Sequence, residues 1–537
     1  MPEKQLPVRP SLEQYKKQAR ELLRACRNGN PDALARLHAH HSRSKSIATV
    51  KLADAQFVLA REHDFENWPR FAAHIEQLRM AASVAALENP ADAFLRAALP
   101  LHDWHASGTL NEANAILARY PHVARASLFT AAVLADEAAV RAVLTQDPAA
   151  VRATGGPEGW DALCHLCFSR YLRLDPTRSD AFVATARALL DAGANPNTGW
   201  FEKPDHEGGA PVWESAIYGA AGLAHHPGLT RLPLERGADP NDGETPYHAP
   251  ESYDNAVLRI LLESDRLSAQ SKRWVLVRKA DWHDLEGIRL ALDHGADPNA
   301  IPHWGNNAPQ HAVQRDNRIE ILRLLLERGA DPHLPNGRDG RTAVQMAARR
   351  VRGDFLAILA ERSIDLRVHG CDALVAACAQ SDRSRIDDLI AAEPALREAL
   401  LAEGADLLGA FAGVGNTGGV RCLLELGVPP DALYSGDPYF DTAKDSTALH
   451  AAAWRGHPDT VQPLLDRGAP LDARDGKGRT ALQLAVRACT DSYWKDRRSP
   501  AWVEPLLKAG ASTEGIPIPT GYPAADDLLR RYEPQSH

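Results

Sequence analysis

Cysteine pairs, clustered histidines and glycine-rich turns are the features of this chain that could do chemistry. Cys164 and Cys167 form a CxxC within Leu163-Cys-His-Leu-Cys-Phe168. A zinc site would need a second pair at suitable spacing, and the cysteines at 26, 371, 378, 422 and 489 do not supply one. Residues three apart share a helix face, so the pair reads as buried core. His38, His40 and His41 fall near an expected helix end, where histidine meets the helix dipole favourably; that reading is preferred to zinc. Gly413-Val-Gly-Asn-Thr-Gly-Gly419 lacks the lysine and preceding strand of a phosphate loop and reads as a turn between helices. No nucleophile elbow, zinc-protease helix or kinase set is present. No catalytic residue, metal or cofactor is assigned. Polar and aromatic residues gather in 160–171, 200–214 and 303–311, where His165, Trp200, His206, Glu214, His303 and Asn307 are candidates for a small-ligand or enzymatic pocket.

The elements that must position such residues are set by length and periodicity. At 537 residues the chain is several times a typical domain, so it either splits into cores or stacks repeats. The net charge of −9, with no Lys/Arg run to offset it, argues against nucleic acid as partner; Lys495, Arg497 and Arg498 read as a solvated loop. Seven scattered cysteines are not a disulfide framework. The start shows no secretory leader, and no stretch approaches ~18 uninterrupted apolar residues. A reduced, cytoplasmic monomer with no membrane association is the expectation.

Self-similarity is plain. Gly-Ala-Asp-Pro-Asn occurs at 237–241 and 295–299, Gly-Ala-Asn-Pro-Asn at 193–197 and Gly-Ala-Asp-Pro-His at 329–333. Each follows an apolar helical run. The glycine can close that helix with φ > 0, the residue before proline is forced extended, and Asn or Asp favours a turn. A second string opens the next helix: Glu244-Thr-Pro-Tyr-His248, Asn307-Ala-Pro-Gln-His311, Arg341-Thr-Ala-Val-Gln345, Arg479-Thr-Ala-Leu-Gln483 and, most fully, Ser446-Thr-Ala-Leu-His-Ala-Ala452. Threonine suits the cap and proline the first helical turn.

Residues 445–474 resemble an ankyrin repeat almost position by position, and the 34-residue spacing from 295 to 329 fits its period. The resemblance implies an all-α fold: an ankyrin-repeat solenoid of about 12 helix–turn–helix units over 92–512, beginning near 92, 127, 160, 211, 243, 271, 304, 338, 370, 402, 445 and 476. Extra residues fall at 170–178, 434–445 and 490–499. Before the repeats, 1–10 reads as a flexible start. Residues 11–85 read as a bundle of four helices (to about Arg27, 32–40, 51–63 and 69–79), similar to the N-terminal segment of certain bacterial ankyrin-repeat proteins. Residues 513–537 read as a short C-terminal cap and tail with an acidic helix at 524–532.

The resemblance also implies a function. In such a repeat the positions after the paired alanines of the first helix face the concave surface, and His248, His311 and His450 hold a helix-start position that bonds neighbouring backbone. By that register the groove carries Arg170, Tyr171, Tyr218, Trp282, Trp304, Gln314, Arg315, Arg349, Arg350, Trp454, Arg455, Tyr493 and Trp494. Trp, Tyr and Arg are the residue types of binding hot spots. The expectation is a scaffold recognising a protein or peptide through that groove.

Overall fold

The repeated strings act locally as their chemistry requires. Gly295 and Gly329 follow the helices Leu285–Asp293 and Ile319–Glu327 with φ of 82° and 86°, a region in which only glycine is unstrained. The alanine after each is buried, Ala296 at 5% and Ala330 at 7% exposure. Helix starts close as capping boxes at Thr342–Gln345, Thr447–His450, Thr480–Gln483 and Asn307–Gln310. Thr245 departs from this pattern. It lies inside the helix Glu244–His248, and its backbone N–H donates to Asp242 Oδ1 at 2.7 Å.

The computed structural model describes residues 6–7, 10–40, 50–100, 105–204, 208–491 and 499–532. They fall into two compact parts, Met1–Ala249 and Pro250–His537. Helices begin at Pro90, Leu128, Ala162, Ala216, Glu244, Ala269, Ala308, Ala343, Gly370, Gly404, Ala448 and Ala481, each within five residues of an expected repeat start. Most are followed by a second helix, as Ala308–Gln314 is by Ile319–Glu327 and Ala448–Trp454 by Pro458–Asp466.

In the N-terminal part, Leu12–Arg27, Pro31–His40, Leu52–Glu62 and Trp68–Ala85 are the first four helices, the last longer than expected. Ser11 caps the first by accepting the Gln14 N–H. Ala19, Leu22, Cys26, Leu37, Val58 and Leu59 form a core among them, beside a second built on Tyr15, Phe71 and Ile75. A separate core runs from Val84 to Leu232. The all-α expectation needs one correction. Thr154–Gly155 pairs with Trp160–Asp161, and Gly199–Glu202 pairs antiparallel with Val212–Ser215, setting Trp200 opposite Glu214. The glycines and the alternation Trp200, Glu202 against Glu214, Val212 favour a hairpin where the repeat pattern lapses.

In the C-terminal part, an unforeseen helix, Ala395–Ala402, is inserted between Arg383–Ala392 and Gly404–Gly413. The chain's last described helix, Pro523–Arg531, buries Ala525, Leu528 and Leu529. No helix among the described residues is long and apolar enough to cross a membrane.

Candidate functional site

Two clusters of charge stand out, one in each part. In the N-terminal part the hairpin carries Glu202 and Glu214 inward. His105 meets the first of these: its Nε2 is 3.0 Å from Glu202 Oε2, and its Nδ1 is 3.0 Å from the Tyr218 hydroxyl. One ligand atom each from His105, Glu202 and Glu214 fall within 4.8 Å of one another, so these three could hold a metal. Glu214 is 2% exposed and its Oε2 has no hydrogen-bond partner. Burial, then the nearby Glu244 and Glu202 carboxylates, push its carboxyl up to about 8. Asp242, buried beside Ser215 and Thr245, is pushed up to about 6, chiefly by burial. Aromatic rings wall the site: Trp160 stacks on Trp200 at 4.7 Å, and Phe168 lies 5.8 Å from Trp200 and 6.0 Å from Tyr218.

In the C-terminal part the charges are balanced. Asp281 Oδ1 accepts from His311 Nε2 at 2.8 Å and from Arg315 Nε at 2.6 Å. Although burial opposes it, these partners and Arg278 hold the Asp281 carboxyl well below the usual range. Asp316 is buried against Arg455 at 2.7 Å and Arg350 at 3.7 Å, and those arginines with Arg352 hold its carboxyl low. The insertion near 434–445 lies over the same side chains. Asp437 accepts from Arg350 at 3.3 Å, Tyr439 lies under the Arg315 guanidinium at 3.8 Å, and Phe440 under Arg455 at 3.6 Å. Trp282, Arg315, Arg350 and Arg455 each occupy the residue just after a helix.

The expected groove residues fare unevenly. Trp454 is 3% exposed, donates its Nε1–H to Phe440 O, and carries the Arg487 guanidinium 4.8 Å from its ring; it is core, not a free anchor. Arg455, at 8% exposure, is covered by Phe440. Tyr171 is buried with its hydroxyl donating to Asn114 at 2.6 Å, Arg170 is buried and donates to Ala97 O at 2.8 Å, and Tyr218 is buried against His105. These five are corrected from groove to interior: the insertion or neighbouring loops lie where open solvent was expected. Arg350 and Arg315 are half-buried beneath the insertion. Arg349 pairs with Asp372 and Glu403, and Gln314 accepts from Asn306. Trp304 is half-buried beside Trp274 and His303. Trp282 is half-buried with Tyr253 across its edge at 5.3 Å, and Tyr253 is 60% exposed. Tyr493, Trp494 and His206 lie outside the described residues.

Of the pocket candidates, Trp200 and Glu214 join the His105 cluster. His165 is buried with Nδ1 2.8 Å from Asp161 O, and burial lowers its pKa to about 4. Asn307 is a helix cap and His303 is exposed. They do not converge with His165 or Glu214 into one pocket. A 410 Å³ depression lies in the C-terminal part, lined by Asp365, Arg367, His369, Gln380 and Arg385 among others, and none of the candidates borders it. Cys164 and Cys167 are buried, and burial pushes both thiols up. His450 bonds backbone as expected, Nε2 donating to Ala473 O at 3.0 Å, whereas His248 and His311 meet the carboxylates of Glu244 and Asp281.

Sequence reasoning missed His105, Glu202, Asp281 as a hub, Asp316 and the trio Asp437, Tyr439 and Phe440. A signal existed for the trio, since the insertion was noticed and Asp-Pro-Tyr-Phe at 437–440 pairs acid with aromatics. His105 lies outside the repeated strings and had none.

Comparison with known families gives two matches. A family model described as ankyrin repeats (3 copies) matches residues 407–495, and one described as ankyrin repeats (many copies) matches 310–360.

Proposed function

The chain is an ankyrin-repeat protein, hence a protein–protein interaction scaffold, and from that premise we propose that it grips an extended acidic–aromatic segment of a partner protein. The recognising face is the row of residues just after the first helices in the C-terminal part. It is centred on Trp282 and Arg315, with Tyr253 and Tyr439 at its margin.

One observation carries this reading. The chain's own segment, Asp437 to Phe440, is seated on that row, carboxylate on Arg350 and rings on Arg315 and Arg455. A surface that holds an acid flanked by aromatic rings in one place offers the same chemistry alongside, where Tyr253 and Tyr439 remain 60% and 39% exposed. Arginine suits this task because its planar fork both pairs with carboxylates and stacks on rings. Aromatic and arginine side chains dominate the energetics of such faces.

The test is selection of a displayed random-peptide library on the full chain. Acidic–aromatic peptides are expected, and Trp282→Ala combined with Tyr253→Ala should lose them while lowering the melting temperature only slightly. Selected peptides that bind the double variant as well as the parent overturn the assignment of this face, while leaving the repeats' scaffold role intact.

A further inference from the structure

We propose that His105, Glu202 and Glu214 form a binding site for one divalent transition-metal ion of the zinc class. The donor set is imidazole nitrogen plus two carboxylate oxygens, which such ions accept, whereas magnesium and calcium prefer oxygen alone. The ligand atoms lie within 4.8 Å of one another. Bonds of about 2.0–2.2 Å would draw them to roughly 4 Å or less, a closure that side-chain rotation supplies. Three protein ligands leave a fourth position for water.

Geometry beyond the ligands supports the site. Glu214 is 2% exposed with Oε2 unpartnered. A buried acceptor left without a donor costs free energy unless something positive meets it. Around Glu214 the carboxylates Glu244, Glu202 and Asp242 are countered only by the imidazoles of His248 and His105, with no arginine or lysine among its main charged neighbours. The local charge is therefore short of a cation. In the C-terminal part Asp281 and Asp316 have arginines to fill that need.

The orientation of His105 is also prepared. Its Nδ1 sits 3.0 Å from the Tyr218 hydroxyl. With the Nδ1–H donating there, the Nε2 lone pair is directed at Glu202. This is the outer-shell arrangement that fixes the tautomer of a metal-ligating histidine. The hairpin Gly199–Glu202/Val212–Ser215 holds Glu202 and Glu214 on one face, two residues apart in cross-strand register, so both carboxylates reach a common point.

Calorimetric titration of the metal-free full chain with zinc chloride tests the proposal. One equivalent is expected to bind, and cobalt(II) should give weak visible bands of nitrogen and oxygen ligation rather than charge transfer from thiolate. Glu214→Gln keeps the shape and removes the ligand charge; with His105→Ala it should weaken binding by at least on the order of tenfold. Zinc should raise the melting temperature of the parent and not that of Glu214→Gln. Absence of stoichiometric binding, equal affinity in parent and variants, or equal affinity for magnesium would each overturn it. Should His105→Ala misfold, the near-isosteric Glu214→Gln still decides.

Discussion

The two parts of the molecule handle buried carboxylates in opposite ways. In Met1–Ala249, Glu214 is enclosed by aromatic rings and other acids, and its carboxyl is pushed up to about 8. In Pro250–His537 the carboxylates of Asp281 and Asp316 are also largely enclosed, yet His311 with Arg315 and Arg278 holds the first low, and Arg455, Arg350 and Arg352 hold the second low. One part therefore holds a site deficient in positive charge and the other a network that neutralises itself. Balance marks a group that holds structure together, while imbalance marks a place left for something from outside. Desolvation alone would raise all three carboxyls; the sign of each shift is decided by which partners the loops deliver.

The largest blow to the balanced side is Asp316→Ala. It strands the buried Arg455 and leaves half-buried Arg350 with Asp437 alone, and removing one partner of a buried pair costs about 3–5 kcal/mol. Urea denaturation followed by tryptophan fluorescence measures it; a loss under ~1 kcal/mol would erase the contrast. Trp454→Ala follows closely. Its ring is 3% exposed, and loss of a buried Trp costs about 3–5 kcal/mol, whereas an open groove residue would cost almost nothing.

Next comes Asp281→Asn, which weakens charge-assisted bonds to His311 and Arg315 worth about 1.5–3 kcal/mol. The folded-state pKa of Asp281 is depressed. Its contribution is therefore fully present above the unfolded value of about 3.9 and is lost as pH falls through the folded value. The stability gap between parent and Asp281→Asn should thus persist at neutral pH and narrow below about pH 4, as melts across pH would show. A gap that widens in acid would mean the carboxylate is not what the arginine holds.

The smallest effect is Trp282→Ala alone. Half-buried at a helix end, it should shift stability by only ~0.5 kcal/mol, yet weaken peptide capture. A drop in melting temperature comparable to that of Trp454→Ala would place it in the core as well.

The regular features of the fold were readable because each rests on residues close in sequence. A cap at Thr447, a helix stop at Gly295 and a proline at the first turn are decided within about one turn of chain, and the helix starts fell within five residues of expectation. The first four helices were equally legible, from Ser11 onward. The sites were less so. Glu214 and Trp200 could be singled out by composition, but not their meeting with His105, which lies 109 and 95 residues before them. The burial of Trp454 depends on Phe440 of an insertion whose path no period encodes. Trp282, Arg315, Arg350 and Arg455 share one helix-end position, but register says nothing of what covers them.

Contacts between distant modules set how the C-terminal part comes apart, with Arg350–Asp437 and Arg315–Tyr439 lying beside the longest one described. Arg455 reaches Asp316 across 139 residues of chain. A stack of repeats joined only to their neighbours can lose modules one at a time from an end. A clasp between distant modules denies that route: the intervening helices cannot peel away until the pair is broken, and once it is broken each has lost the same restraint. Mechanical extension of this part should therefore give one high-force rupture where a simple stack would give a staircase of small ones.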